Sequence, residues 1–422
     1  MEHKLVSSPD FSMRPLETPA EIETFCRLNA QAFRSDEDVE IVASRRRRYL
    51  NEDPDFHLDQ LRGAFSGSTY VGGYIIHERL LCLESARLRT GCLGGVVTHP
   101  DYRHQGIATA LMQEALTYSY NQKYALLLLH GIPGFYHQFG YVDALEDIPE
   151  HVIDRKLIPE QSSEVYSVRT ATLNDASALL TLYQLHYGSY PGSFAPTRTL
   201  QRQEHLLRNW FQEFLPLLAV NSSSEIHGYL MLSRRWNRLY AFEIAADTWP
   251  AALALLQYHS RLLDAEPEAP QELRWPLPLN SPTYYLLADH LPIRSEMYSH
   301  PDMGWMARPV HLPALFQSLL PLFQDRWQRS MSSWSGTIAF EIDNYTCYMD
   351  LGTKGIQFNE HPLAHVQWVR LSPQVFTQLL FGFRPITWAI NQPGQHIPEE
   401  LIPVLTILLL SGQACIAQSD SF

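Results

Sequence analysis

A chain of 422 residues is too long for one hydrophobic core, so two or three domains are expected. Hydrophobic content of 45% and charged content of 18% exclude a disordered chain. A formal charge of −13 argues against a general nucleic-acid binder, which is usually basic, and is compatible with a cationic substrate such as an amine.

The five cysteines, Cys26, Cys82, Cys92, Cys347 and Cys415, are scattered. No C-x-x-C pair invites zinc or redox chemistry, so no metal is expected. Several sit in apolar runs, where a free cysteine is a small buried hydrophobe, and a reducing cytoplasm is the default compartment. The opening MEHKLVSSPDFSMRP has no apolar core of signal-peptide type. The longest apolar runs, residues 124–129 and 402–410, fall far short of the ~20 residues a spanning helix needs, so no membrane partner is expected.

Residues 12–33 read as a short strand and then a helix that starts at Thr18 and Pro19. Residues 34–40, RSDEDVE, form an acidic loop. Arg45 to Arg48 is a basic run on a helix, read as a solvated face. Residues 61–92 alternate apolar runs with turns at Gly67-Ser68 and Gly72-Gly73, which predicts antiparallel strands.

The stretch everything else serves is 94–141. Residues 92–98 are apolar and rich in small and β-branched side chains, as in a buried parallel strand. Pro100 lacks an N–H for the ladder and ends it. Arg103-His104-Gln105-Gly106-Ile107-Ala108 then runs into a helix. Ile107, Leu111, Ala115 and Tyr118 fall on one face of that helix. Residues 124–129 form a second strand, and strand–helix–strand at this length is a βαβ unit with a right-handed crossover. A helix N-terminus offers free N–H groups and a positive dipole end. Gly106 and Ala108 leave the backbone open, and Arg103 adds a charge-assisted clamp, so the loop suits a pyrophosphate. It is neither a P-loop nor G-x-G-x-x-G. An ordinary crossover with a surface arginine is the alternative reading.

Strand, R-x-x-G-x-A loop, helix and the later tyrosine loop together resemble motif A of the GCN5-related N-acetyltransferases, the GNAT superfamily. By that resemblance Arg103, His104, Gln105, Gly106, Ile107 and Ala108 hold the pyrophosphate of acetyl-CoA. Val96, Val97 and Thr98 face its pantetheine arm and acetyl carbonyl. Gly134-Phe135-Tyr136-His137-Gln138-Phe139-Gly140-Tyr141 looks like the Y-x-x-F-G-[YF] signature of the branch that includes the enhanced intracellular survival (Eis) enzymes. There the first tyrosine gives a proton to the leaving thiolate, and the matching residue is Tyr136. A phenol of pKa roughly 10 and a thiol of roughly 8.5 make full transfer uphill by about 2 kcal/mol. Either the site lowers the tyrosine pKa or the phenol hydrogen-bonds the developing thiolate. A packing role for Tyr136 is the alternative. In this family the region of 34–40 borders the acceptor site, so its carboxylates either attract an amine or are simply solvated.

Composition shifts over 147–165 and places a boundary near residue 160. Residues 167–175 echo 12–17 and their helix, as a second copy of the same fold would. Where the phosphate loop should recur, AFEIAADTWPAALALLQYHSRLL from Ala241 has neither an arginine–glycine loop nor any glycine, so the copy should not bind CoA. From Gly304 a helix over 312–323 is expected. A meander over 335–342, 345–351 and 355–359 follows, then helices near 372–381 and 398–410. This part resembles the sterol-carrier-protein-like domain that closes Eis chains. The expected domains are 1–160, 161–303 and 304–422.

Eis-type chains end in an aromatic residue whose carboxylate enters the first domain's active site as a base, and Phe422 matches that ending. A terminal carboxyl of pKa roughly 3.5 is charged at neutral pH and can hold an ammonium; as a base it is weak, so positioning and desolvation must help. A frayed tail is the alternative. Ser421 stands where an acidic residue is often found, and Asp420 lies one place earlier.

The resemblance therefore implies an α/β (α+β) fold: tandem GNAT domains, the second degenerate, then the sterol-carrier-like domain. It implies an acetyl-CoA-dependent N-acetyltransferase acting by direct attack on a small-molecule or lysine-type amine, as a cytoplasmic homohexamer. The rival is a lipid or small-ligand carrier working through the last domain; use of another acyl-CoA is a third option.

Overall fold

The computed structural model describes residues 11–34, 36–160, 165–188, 190–233, 239–266, 269–298, 304–359, 361, 365–409, 412, 414–420 and 422, with backbone only for 210–212. The polar cluster at 161–164 and Ser421 lie outside the described residues.

The first part runs β1 (Ser12–Pro15), α1 (Pro19–Phe33), α2 (Val39–Glu52), β2 (Leu61–Ser66), β3 (Thr69–Leu83), β4 (Ala86–Thr98), α3 (Ile107–Asn121), β5 (Leu126–His130), β6 (Val142–Asp147) and β7 (Glu150–Asp154). Helix α1 starts where the sequence predicts, with Thr18 and Glu21 in a capping box. Arg14 on β1 grips the same Glu21 through both terminal nitrogens, at 2.6 and 3.2 Å, and so fixes the strand to the helix.

The second part runs β8 (Tyr166–Thr170), α4 (Ala176–Tyr187), α5 (Leu200–Glu213), β9 (Phe214–Asn221), β10 (Ile226–Ser233), β11 (Tyr240–Ala246), α6 (Trp249–Leu263), β12 (Glu272–Pro276), α7 (Pro282–Ala288) and β13 (Arg294–Glu296). Strands β8 to β11 neighbour one another in the order of β1 to β4. The entry staple recurs as well: Arg169 grips Asp175 at 2.9 and 2.7 Å, and Asp175 closes a capping box with Thr172.

The last part runs β14 (Trp305–Pro309), α8 (Leu312–Ser330), β15 (Gly336–Ile342), β16 (Tyr345–Gly352), β17 (Gly355–Asn359), β18 (Val366–Leu371), α9 (Pro373–Leu380), α10 (Ile386–Ala389), α11 (Ile402–Leu408) and β19 (Cys415–Ile416). Strands β15 to β17 are the expected meander, and β18 joins it parallel to β15. Helix α8 continues past Pro321, beyond the end expected near residue 323. Its buried stripe of Leu315, Phe316, Leu319, Leu322, Phe323 and Trp327 runs through the proline, and packing outweighs the lost hydrogen bond.

The three parts are interleaved. Strand β14 lies between β5 and β6, antiparallel to both, and β19 pairs parallel with β6. The principal sheet is therefore β1-β2-β3-β4-β5-β14-β6-β19. Strand β7 pairs in turn with β12 and β13. On one face of the principal sheet, Ile107, Leu111, Ala115 and Tyr118 of α3 pack with Tyr74, Ile76 and Leu127. On the other, Phe25, Cys26 and Leu28 of α1 and Ala43 and Leu50 of α2 pack with Ile75 and Val97. All five cysteines are free and buried. Among the described residues no helix is long and apolar enough to cross a membrane.

Candidate active site

Strand β4 changes partner along its length. It pairs in parallel with β5 only at Thr90, Gly91 and Cys92, while β14 covers the opposite edge of β5 along its whole length. Its later half, to Thr98, therefore has one edge not paired with β5. Against β3 the register skips: Ile75 faces Gly94 and Gly73 faces Val97, so Gly95 and Val96 together oppose Tyr74. This is a β-bulge, which takes a residue out of the ladder and re-aims its N–H. Gly95 has φ +59°, and Asn29 of α1 donates to its carbonyl at 3.1 Å. An extended, amide-bearing arm fits such an edge as an added strand would.

The strand ends as expected: Pro100–Tyr102 form a single 3-10 turn. Arg103, His104, Gln105 and Gly106 are exposed. His104 (φ +62°) and Gly106 (φ +83°) are left-handed, and Gly106 caps α3 without a side-chain bond. The first N–H groups of α3 thus face outward beside Arg103, which makes no ion pair among the described residues, and that is the geometry of an anion cradle. Ile107 is buried as the helix's first core anchor, and Ala108 is half-buried. The corresponding helix α6 differs physically. Thr248 caps it, accepting from the N–H of Ala251, and Pro250 removes another donor. The cradle is closed there.

Tyr136 opens the 3-10 turn Tyr136–Phe139 after β5 and is buried between Phe135 and Tyr141, at ring distances of 5.0 and 6.0 Å. Gly140 (φ +81°) turns the chain out, and Arg308 of β14 donates to the Phe139 carbonyl. Burial pushes the Tyr136 phenol up, with no charged neighbour among its causes. This direction does not favour the first of the two options for Tyr136, a lowered pKa. The neutral phenol is the favoured form at neutral pH.

The tail returns to this strand. An ideal Cβ on Gly94 would lie 3.6 Å from the terminal carboxyl carbon of Phe422 and 3.6 Å from its oxygen. The Phe422 ring packs edge-on to Phe194 at 6.4 Å and against Trp305 at 5.4 Å. Trp305 in turn donates to Asp147 at 3.0 Å. Asp420 anchors the tail in the second part: Tyr183 donates to it at 2.5 Å, and Arg198 stands 3.9 Å away. Gly192 presses on the backbone of Cys415, where any Cβ would sit 2.0 Å from the carbonyl oxygen.

Three residues were missed by sequence reasoning. His77 and Arg79 of β3 alternate with half-buried Glu78 and Leu80 and share a face with Ile75. Polar residues at the inward positions of an apolar strand were the available signal. Burial and the arginines Arg79, Arg202 and Arg46 push the His77 imidazole well down, so it is neutral at pH 7. The third is Arg46. The run 45–48 is not one solvated face: Arg45 bonds Glu37 and Glu213, Arg47 bonds Glu23, and Arg46 turns inward over the ring of Phe25. In the acidic loop three of the four carboxylates are occupied, and Asp36 is exposed. Glu37 bonds Arg45, Glu40 bonds Arg27, and Asp38 caps α2. Among the described residues no group of His, Cys, Asp and Glu side chains is arranged to hold a metal.

Residues 12–143 match the family model described as an acetyltransferase (GNAT) domain. No curated protein matches the chain. Among solved structures the fold is similar to that of a conserved protein of unknown function from Enterococcus faecalis V583, described as a probable N-acyltransferase. That pair has a TM-score of 0.73 and 17% identity, over 97% of this chain and 99% of the other. It is also similar to a GCN5-related N-acetyltransferase from Kribbella flavida, at TM-score 0.68 and 15% identity over 98% and 99%. Eis1 from Mycobacterium abscessus gives 0.62 and 15% over 96% and 99%. At these identities the likeness concerns the fold. Residues 12–143 thus match a GNAT acetyltransferase domain, and the chain as a whole shares the fold of these solved structures.

Proposed function

We propose that the protein moves an acetyl group from acetyl-CoA to an amine. The observation that carries the reading is that β4 joins three features: an edge released from β5 after Cys92, a bulge at Gly95 and Val96, and a carboxyl terminus at Gly94. Val96, Val97 and Thr98 line the released edge and would take the pantetheine amides. Arg103 to Ala108 and the uncapped α3 N-terminus would take the pyrophosphate.

Acetyl-CoA supplies an acetyl group activated as a thioester. Backbone N–H groups of the bulge polarise its carbonyl. The Phe422 carboxylate holds the acceptor ammonium and receives a proton from it. Tyr136 donates to the departing sulfur, a role supported by its protonated state. In the domain reading, 1–160 is catalytic, 161–303 a degenerate copy supported by its strand order and its blocked helix end, and 304–422 sterol-carrier-like. By resemblance alone the assembly is a cytoplasmic homohexamer, which light scattering on the purified protein checks.

Calorimetric titration with acetyl-CoA tests the reading. Micromolar binding that disappears in the double variant Arg103→Ala, Gly106→Glu supports it. No binding to the unaltered protein refutes it.

A further inference from the structure

The face of β4 on which Phe422 ends also carries cations that acetyl transfer does not use. A terminal nitrogen of Arg46 lies 2.9 Å from the Cβ position of Gly95, one residue along from the Phe422 carboxyl. The Arg46 Nε is buried without a hydrogen-bond partner. Both flanking arginines, Arg45 and Arg47, hold carboxylates, whereas Arg46 pairs with none among the described residues. Burial pushes its guanidinium down and Arg34 adds like charge, with no carboxylate to offset either. The Asn29 Oδ1, also buried and unpartnered, reaches the same point at 2.9 Å. Further along the face Arg79 of β3 is 5% exposed, and among the described residues its side chain donates only to the carbonyl of its neighbour Glu78. His77 beside it is neutral. A half-buried guanidinium whose Nε is an orphan, with no carboxylate partner among the described residues, favours a ligand anion at this point.

A carboxylate and an unpaired guanidinium thus meet successive residues of one strand. We propose that the acceptor is an amine that itself carries a carboxylate, as an amino acid does. The Phe422 carboxylate takes its ammonium and Arg46 takes its carboxylate. This rests on the acetyltransferase reading and narrows its substrate class. In the step, the amine nitrogen bonds the acetyl carbon and the carbon–sulfur bond breaks. One proton of the ammonium passes through the Phe422 carboxylate to water, and the sulfur is protonated from Tyr136, which the attacking nitrogen's second proton replenishes.

The test compares matched amines in a free-thiol release assay on the full chain at saturating acetyl-CoA: phenylalanine against phenethylamine, and lysine against cadaverine. The carboxylate-bearing member of at least one pair should be preferred about tenfold or more in kcat/KM. Arg46→Gln should abolish most of that preference through KM, and Arg46→Lys should restore part of it. Melting curves establish that both variants fold. Three results would overturn the proposal: the carboxylate-free members react as well or better; Arg46→Gln slows both members alike, which makes Arg46 only a counter-charge for Phe422; or none of the amines reacts although acetyl-CoA binds. Absence of acetyl-CoA binding would instead strike the acetyltransferase reading, and this proposal with it.

Discussion

Gly94 and Phe422, 328 residues apart in sequence, touch: the terminal carboxyl stands 3.6 Å from where a Cβ on Gly94 would be. A methyl group there is an ordinary contact, but a branched side chain would displace the carboxylate. Removing Phe422 should lower kcat/KM toward the acceptor by about 10²-fold or more. The acetyl-CoA Kd should stay within about twofold, since the cradle at Gly106 lies elsewhere on the domain. Gly94→Val should follow the truncation, and Gly94→Ala should resemble the unaltered protein. Steady-state kinetics beside calorimetry separates the two effects.

The cap at Gly106 makes a second expectation. Its φ of +83° costs an L-residue about 1–2 kcal/mol, and a β-branched side chain would also cover the helix N–H groups. Gly106→Val should therefore weaken acetyl-CoA binding by about tenfold or more. Thr248→Gly in α6 should create no binding there, because Pro250 still withholds a donor.

Tyr136→Phe should cut turnover by roughly 10- to 100-fold while acetyl-CoA still binds. Burial raises the Tyr136 phenol above its ordinary value of 10, so the group keeps its proton throughout the neutral range. The alkaline fall in kcat due to this residue should have its midpoint above pH 10, and the variant should lack it. A fall with its midpoint near pH 8 would give the role to another group.

The staple between Arg14 and Glu21 sets a pH window. Glu21 is held down to about 2 by Arg14 first, with backbone N–H bonds from Glu17 and Thr18 assisting. A depressed carboxylate binds protons less well folded than unfolded. Its contribution is thus complete above the ordinary value of 4.5 and fades as pH falls toward 2. Glu21→Gln should lower Tm at pH 7 by a few degrees, about the 1 kcal/mol of a lost cap. It should also flatten the acid side of the Tm-against-pH curve.

How far the sequence carried depends on the range of the interactions. The apolar face Ile107, Leu111, Ala115 and Tyr118, the break at Pro100 and the cap at Gly106 are local patterns, and local patterns are readable. The blocked end of α6 was likewise written in Thr248 and Pro250. Nothing local announces that Trp305–Pro309 slots between β5 and β6, or that Val366–Leu371 runs parallel to β15, because their partners are distant in sequence. Arg46 was hidden for a related reason. Four arginines in a row read as surface, and only the packing of α2 on Gly95 turns one of them inward.

The insertion of β14 into the first sheet bears on how the chain is made. Strand β5 acquires β14 as its partner only after some 175 further residues have left the ribosome, counting from His130 to Trp305. Until then the apolar strand LLLLH offers an open edge to any extended segment nearby. Closing so long a loop slows assembly more than it weakens the product. The segment that matches the family, released by itself, should be prone to aggregate, and the nascent chain a client for chaperones until its later parts emerge.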